Sequence, residues 1–264
     1  MSYLRAPDVE SAVNAVPENN SELYVIRAAK GEYSGKTVIS LSKRIKIEGG
    51  WDENFSKKSN GPSETVLQHG QFGIVSVLAN ANTDIEVTVE NLKITGAFSG
   101  SHDVGGGISA SVENGGKIKL GVNRRVITNN SARHGHGTGI GIQSVGSESQ
   151  INFTVDWSLI ADNGTIYYYG GGIFIVAHSF GFLDATILNS IISNNKAMLG
   201  GGIAVSAWFE ICYPDPHPPA GDVKLNIINT TITKNRAKYG GIEGGGKGGG
   251  LKLLAGYGNQ KMDL

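Results

Sequence analysis

The chain has 264 residues, with 23 Lys+Arg against 23 Asp+Glu, 17% charged residues and 39 glycines. Zero formal charge excludes a global field that would gather nucleic acid or anionic lipid, and the single cysteine, Cys212, excludes an internal disulfide framework or a cysteine zinc cluster. No apolar run approaches the roughly 18 residues of a membrane helix and MSYLRAPDVE carries no export-signal core, while 39% hydrophobic residues suffice for a packed core.

Residues 1–20 are expected to form an N-terminal cap. Between Pro7 and Val16 the apolar residues Val9, Ala12, Val13 and Val16 recur at spacings of three and four, which predicts a short amphipathic helix. Residues 21–83 then give early, irregular strands in LYVIRAAKGEYSG, TVISLSKRIKIEGGW and ETVLQHG, joined by glycine-rich turns.

From residue 84 to 264 the sequence repeats. ITGA at Ile94, ITNN at Ile127, IADN at Ile160, ISNN at Ile192 and ITKN at Ile232 are spaced by 33, 33, 32 and 40 residues. A glycine turn and an aliphatic residue follow each, ending at Ile108, Ile140, Ile173, Ile203 and Leu251. A period near 33 also fits ankyrin-type helical repeats, so the inner pattern decides. Nine, seven and five residues before each anchor stand Ile85/Val87/Val89, Ile118/Leu120/Val122, Ile151/Phe153/Val155, Leu183/Ala185/Ile187 and Val223/Leu225/Ile227, with mostly polar residues between. That is period-two alternation, a strand with one face inward, and helical repeats are excluded.

A strand that returns in one register without a helical crossover stacks parallel to itself, about 4.8 Å per rung. The positions after each glycine turn (Ile108/Ala110 through Leu251/Leu253) predict a second such sheet. The fold class is all-β, a right-handed parallel β-helix with a short N-terminal capping helix, read as a single domain over 1–264.

Two amide columns accompany the anchors. Asn91, Asn189 and Asn229 form one, interrupted by Arg124 and by Trp157, which is expected to be packed; Asn130, Asn163, Asn195 and Asn235 form the other. Stacked asparagines at a bend bond rung to rung and tolerate a left-handed φ, so both columns read as structural. An insertion at 207–222, with four prolines and three aromatics, predicts an ordered surface loop, and a second lies at Arg236–Gly250. The terminal KMDL reads as the start of another rung, so the C-terminal end is expected to be uncapped. On this reading the chain is a piece of a longer protein, or its open edge docks on a partner or a second copy.

NLKITG, DWSLIADNGTIYYYGGGIF and NSIISNNKAMLGGGIAV resemble the repeats of large bacterial surface proteins of the polymorphic outer-membrane protein type. YVIRAAKGEYSGKTVISLSKRIKIEGGW resembles the first turn of the wider pectin-lyase-like superfamily. The resemblance covers roughly residues 20–264. It implies the β-helix fold and an extracellular or bacterial cell-surface location. Neither an export signal nor a C-terminal barrel stands in this sequence, and the fold serves lyases, hydrolases, epimerases and adhesins alike.

Function must therefore be read from sites. The outward column Glu86, Lys119, Asn152, Asp184, Lys224 alternates in sign, a mutually compensating ladder with no carboxylate pair. The loops before the glycine turns place His102 and Asp103, then His134 and His136, then Tyr167, Tyr168 and Tyr169, on successive rungs. Stacked within about 10 Å, these offer titratable imidazoles and aromatic planes for sugars. With Trp208 they are the candidate contact residues. Tyr213-Pro214-Asp215-Pro216-His217 resembles the Tyr-Gly-x-Asp-Pro-His-Asp signature of mannuronan C5-epimerases, which implies Tyr213 and His217 exchanging a proton beside Asp215. Here the glycine is absent, the Tyr–Asp spacing is one residue short and Pro218 replaces the final acid.

The expected function is a non-catalytic, secreted or surface-displayed scaffold or adhesion module whose partners are a glycan or a cell-surface protein. No cofactor, metal, nucleic acid or membrane insertion is expected. The alternative is a polysaccharide lyase, hydrolase or epimerase acting on an acidic glycan, with Tyr213, Asp215 and His217 catalytic and calcium possible only in that case.

Overall fold

The computed structural model describes residues 8–19, 21–68, 73–99, 104–207, 219–238 and 247–254. Apart from one helix, Val9–Asn14, the regular elements are strands, and every pairing between strands of the same sheet is parallel. Among the described residues no helix is long and apolar enough to cross a membrane.

The chain visits four sheets in turn. The first holds seven strands in the order Leu23–Ala29, Arg44–Trp51, Asp84–Glu90, Lys117–Asn123, Gln150–Asp156, Phe182–Leu188 and Asp222–Ile228. The second, also of seven, runs from Gly31–Ser34 to Thr231–Thr233, and the third consists of five two-residue strands from Phe98–Ser99 to Arg236–Ala237. The fourth holds seven strands from Thr37–Ile39 to Leu251–Leu254. Each pass adds a strand beside the previous one to the first, second and fourth sheets, and from Phe98–Ser99 onward to the third as well, an arrangement compatible with a parallel β-helix. Two sheets were expected; the other two lie in the short segments around each anchor isoleucine.

Register carries the core. Ile118 stands between Ile85 and Ile151, Leu120 between Val87 and Phe153, Val122 between Val89 and Val155, and all are buried. These columns belong to one apolar cluster that reaches from Val9 in the helix to Leu225. The helix starts at Asp8, whose carboxylate accepts from the Ser11 amide at 2.7 Å, and it buries Val9 and Val13, as its apolar spacing predicts. Lys43 donates to the Val13 carbonyl at 3.1 Å, occupying one of the helix's last acceptors.

The corners are where the repeat is strictest. At the second corner Asn163 donates to the Ile127 carbonyl (2.9 Å) and to Asn195 Oδ1 (3.1 Å), while its own Oδ1 accepts from the Asn130 amide (3.1 Å) and Asn130 Nδ2 (2.9 Å). The same pattern continues from Asn195 to Asn235. The left-handed residue here is not the ladder asparagine, as expected, but the one before it: Asn129, Asp162, Asn194 and Lys234 have φ of 55°, 56°, 56° and 54°. Putting the kink on the preceding residue frees the asparagine to turn inward. In the glycine turn a Cβ on Gly139 would lie 2.5 Å from the Gly172 carbonyl one rung above, so only glycine fits there.

At the first corner the column residue itself is left-handed: Asn91, Arg124, Trp157, Asn189 and Asn229 have φ between 47° and 54°. Trp157 is 63% exposed, against the expectation that it packs. At Trp157 this conformation carries the side chain out to solvent, whereas Asn91 is covered and donates to the Gly49 and Ser59 carbonyls, and the inward side chain belongs to the next position. There Leu92, Ser158 and Ser190 are buried, as is Arg125, whose Nη2 reaches the Ile47 carbonyl two rungs below at 3.2 Å.

Candidate functional site

The loop column forms, and it divides into an inner and an outer part. Tyr169 pairs in register with Leu199, and His136 with Val104, so the residues before successive glycine turns stack as the repeat predicts. These loops fold onto the outer face of the fourth sheet, where Ile173–His178 is buried on both faces rather than alternating. Phe174, Val176, Ala204 and Tyr169 make a second apolar cluster, joined by Met198 and Leu199.

His136 lies inside that cluster, 1% exposed, with its ring 4.8 Å from Phe174 at an interplanar angle of 28°, 4.6 Å from Tyr168 and 5.4 Å from Tyr169. His134 and Tyr167 form the outer part. Their rings are parallel within 13° at 5.1 Å, Tyr168 sits edge-on at 6.0 Å, and Tyr167 is 41% exposed. The arrangement presents a fixed pair of ring faces to solvent on an apolar base, suited to stacking against the C–H face of a sugar or an apolar side chain. Of the seven residues aligned in this column, the structure brings together five. His102 and Asp103 lie outside the described residues, as do Trp208, Tyr213, Asp215 and His217. Among the described residues no three His, Cys, Asp or Glu side chains converge to hold a metal ion.

The sequence reading missed a second constellation. Glu48 and Glu90 stand in direct register on neighbouring strands of the first sheet, a juxtaposition of like charges that needs compensation. Lys46 bridges them, at 2.7 Å from Glu48 and 2.9 Å from Glu90. Lys58 closes the ring from above, at 3.5 Å and 3.1 Å. It is carried by the excursion after Trp51, which turns back on itself through a Trp51–Lys58 bridge. Trp51 Nε1 donates to Glu48 at 3.1 Å, and the Arg27 guanidinium lies 4.1 Å above the Trp51 ring.

Burial works to raise both carboxyls, but the hydrogen bonds and charges of Lys46 and Lys58 outweigh it and hold both below the usual carboxylate value. Burial likewise works to lower Lys46, and Glu48 and Glu90 outweigh it and hold it above its ordinary value. Acid–base catalysis near neutrality requires the opposite shifts. The cluster also compensates Arg125, whose burial depresses it strongly against the charges of Glu90 and Glu48. It is best understood as an electrostatic clamp on the early rungs. The sign-alternating ladder beside it forms as expected: Glu86 pairs with Arg44 at 2.8 Å and Lys119 at 2.9 Å, and Asp184 pairs with Lys224 at 3.1 Å.

A third histidine, His178, was not singled out by the sequence. On the outer face of the fourth sheet it lies 3.2 Å from both Gln143 Nε2 and Ser179 Oγ, and burial pushes it below the usual imidazole value. The signal for it was the unbroken apolar run Ile173–Ala177, which announces a strand covered on both faces.

Comparison with protein-family models, with curated proteins and with solved structures found no match to this chain.

Proposed function

We propose that the chain is a right-handed parallel β-helix of the kind built into bacterial surface proteins, and that it acts as a non-catalytic scaffold displaying loop groups to a glycan or a cell-surface protein. The observation that carries this reading is the His134–Tyr167 pair. Two loops one rung apart are locked by His136, Tyr168 and Phe174 beneath them, so that two ring faces are held parallel at the surface. Rigid aromatic anchors on a fixed frame lose little entropy on binding, which is what a display surface requires. Right-handedness rests on the strong chiral preference of parallel crossovers. The surface location rests on the resemblance of the repeats.

The test is binding of the folded, monodisperse protein to arrayed glycans and to cell surfaces, comparing the wild type with Tyr167→Ala and His134→Ala. Binding that falls tenfold or more in these variants, at unchanged melting temperature, supports the scaffold reading. Turnover of uronic-acid polysaccharides, with or without calcium, would overturn it in favour of the enzyme reading centred on Tyr213, Asp215 and His217.

A further inference from the structure

The first corner carries a feature that its structural role does not explain. Its left-handed position suits asparagine, which costs little there, and Asn91, Asn189 and Asn229 occupy it. On two adjacent rungs the residue is Arg124 and Trp157 instead, at φ 53° and 47°. For side chains of this size that conformation costs roughly 1–2 kcal/mol each. The fold recovers little of it. Trp157 is 63% exposed, and neither its indole nor the Arg124 guanidinium has a ring contact, hydrogen bond or ion pair among the described residues.

What surrounds the indole is organised. Asn229 Nδ2 donates to Asn189 Oδ1 at 2.9 Å, and Asn189 Nδ2 donates to Asp156 Oδ1 at 3.0 Å. This directed chain descends the corner and ends on one oxygen of the carboxylate that precedes Trp157, a half-buried residue whose second oxygen has no hydrogen bond among the described residues. The Arg124 fork lies one rung below. A flat aromatic face flanked by a pre-oriented planar acceptor and a planar donor is the chemistry that grips a hydroxylated ring. The ring's C–H face covers the indole while vicinal hydroxyls donate to the carboxylate and accept from the guanidinium. One carboxylate and one guanidinium sum to no net charge, so the guest expected here is an uncharged ring rather than an acidic one.

We infer that the Arg124–Asp156–Trp157 corner is a binding platform for a pyranose unit of a neutral glycan. The inference rests on the scaffold reading but places the contact on a different face from His134 and Tyr167, so the two can fail separately. The test uses the full chain and a panel of neutral gluco-, galacto-, manno- and N-acetylglucosamine oligosaccharides, with binding followed by calorimetry and by tryptophan fluorescence. Trp157→Asn, which restores the residue favoured in the column, should lose binding at least tenfold with a melting temperature equal to or above that of the wild type. Asp156→Asn should weaken binding about tenfold, whereas Trp157→Phe should stay within a few-fold of the wild type.

The inference is overturned if the wild type binds none of the neutral panel, or if Trp157→Asn binds as tightly as the wild type. It also fails if the wild type is a dimer that Trp157→Asn converts to monomers, because the corner is then a protein contact. Loss of glycan binding in Tyr167→Ala but not in Trp157→Asn would leave the scaffold reading standing and remove this one.

Discussion

At the second corner Asn130, Asn163 and Asn195 turn inward and are fully buried; Asn163 and Asn195 each bond the backbone of the rung below and the asparagine side chain of the rung above. At the first corner Asn189 and Asn229 turn outward and bond mainly to one another, and Arg124 and Trp157 stand in the same column. Both corners use asparagine at the same period, yet the second keeps it from Asn130 to Asn235, with buried Ala97 ending the column, whereas the first admits Arg124 and Trp157 between its asparagines. The difference lies in which residue takes the left-handed φ. When the preceding residue takes it, the asparagine becomes part of the interior; when the column residue takes it, the side chain leaves the interior and reaches the surface at Trp157 and Asn229, while at Asn91 it is covered by the excursion after Trp51 and donates to the Gly49 and Ser59 carbonyls.

This contrast can be broken most forcefully at Asn163. Asn163→Ala removes two buried donors' bonds and strips the acceptor from two groups of Asn130, an expected loss of about 3–5 kcal/mol in denaturant unfolding. A loss below 1 kcal/mol would show that the ladder is ornamental. Gly139→Ala, which forces a Cβ against the Gly172 carbonyl, should cost about 1–3 kcal/mol by the same measurement.

Glu90→Gln unbalances the clamp around Lys46, Lys58 and Arg125 and should cost about 1–2 kcal/mol at neutral pH. The clamp also gives a pH signature. Glu48 and Glu90 are held below the ordinary glutamate value of 4.5, so their contribution is fully present above it and is lost as pH falls through their lowered folded values. Thermal melts between pH 6 and about 3 should show that acid slope, reduced in Glu90→Gln. At the outer corner Asn189→Ala should cost only about 1 kcal/mol. The smallest effect is a gain: Arg124→Asn should stabilise by about 0.5–1 kcal/mol, and a loss instead would mean that Arg124 holds the fold together.

The repeat made the first and fourth sheets legible, because Ile118, Leu120 and Val122 recur in register over several strands. The second and third sheets escaped because their strands hold mostly three or two residues, too few to show alternation. Trp157 was misread for a related reason. Alternation ends before the corner, and only the left-handed φ decides that its side chain leaves the coil. The period set the loops of His134 and Tyr167 on successive rungs, but the parallel stacking of their rings is a finding of the structure. The burial of His136 was not, because it depends on Phe174, an outward strand position that the period alone would leave exposed. The charged clamp was invisible for a plainer reason. Lys58 arrives on an excursion that no other rung repeats, and the column inspected for paired acids was that of Glu86 rather than that of Glu48 and Glu90.

The hydrogen bonds of the Asn130–Asn235 ladder and of the four sheets run from one rung to the next. Traction applied to the two ends of the chain therefore meets these bonds one layer at a time. Such a molecule should lengthen under tension in a staircase of small, similar yields rather than in one rupture, each step releasing about the 33 residues of a rung. A domain of this construction can give way locally at a distal layer while the layers that hold His134, Tyr167 and Trp157 keep their shape.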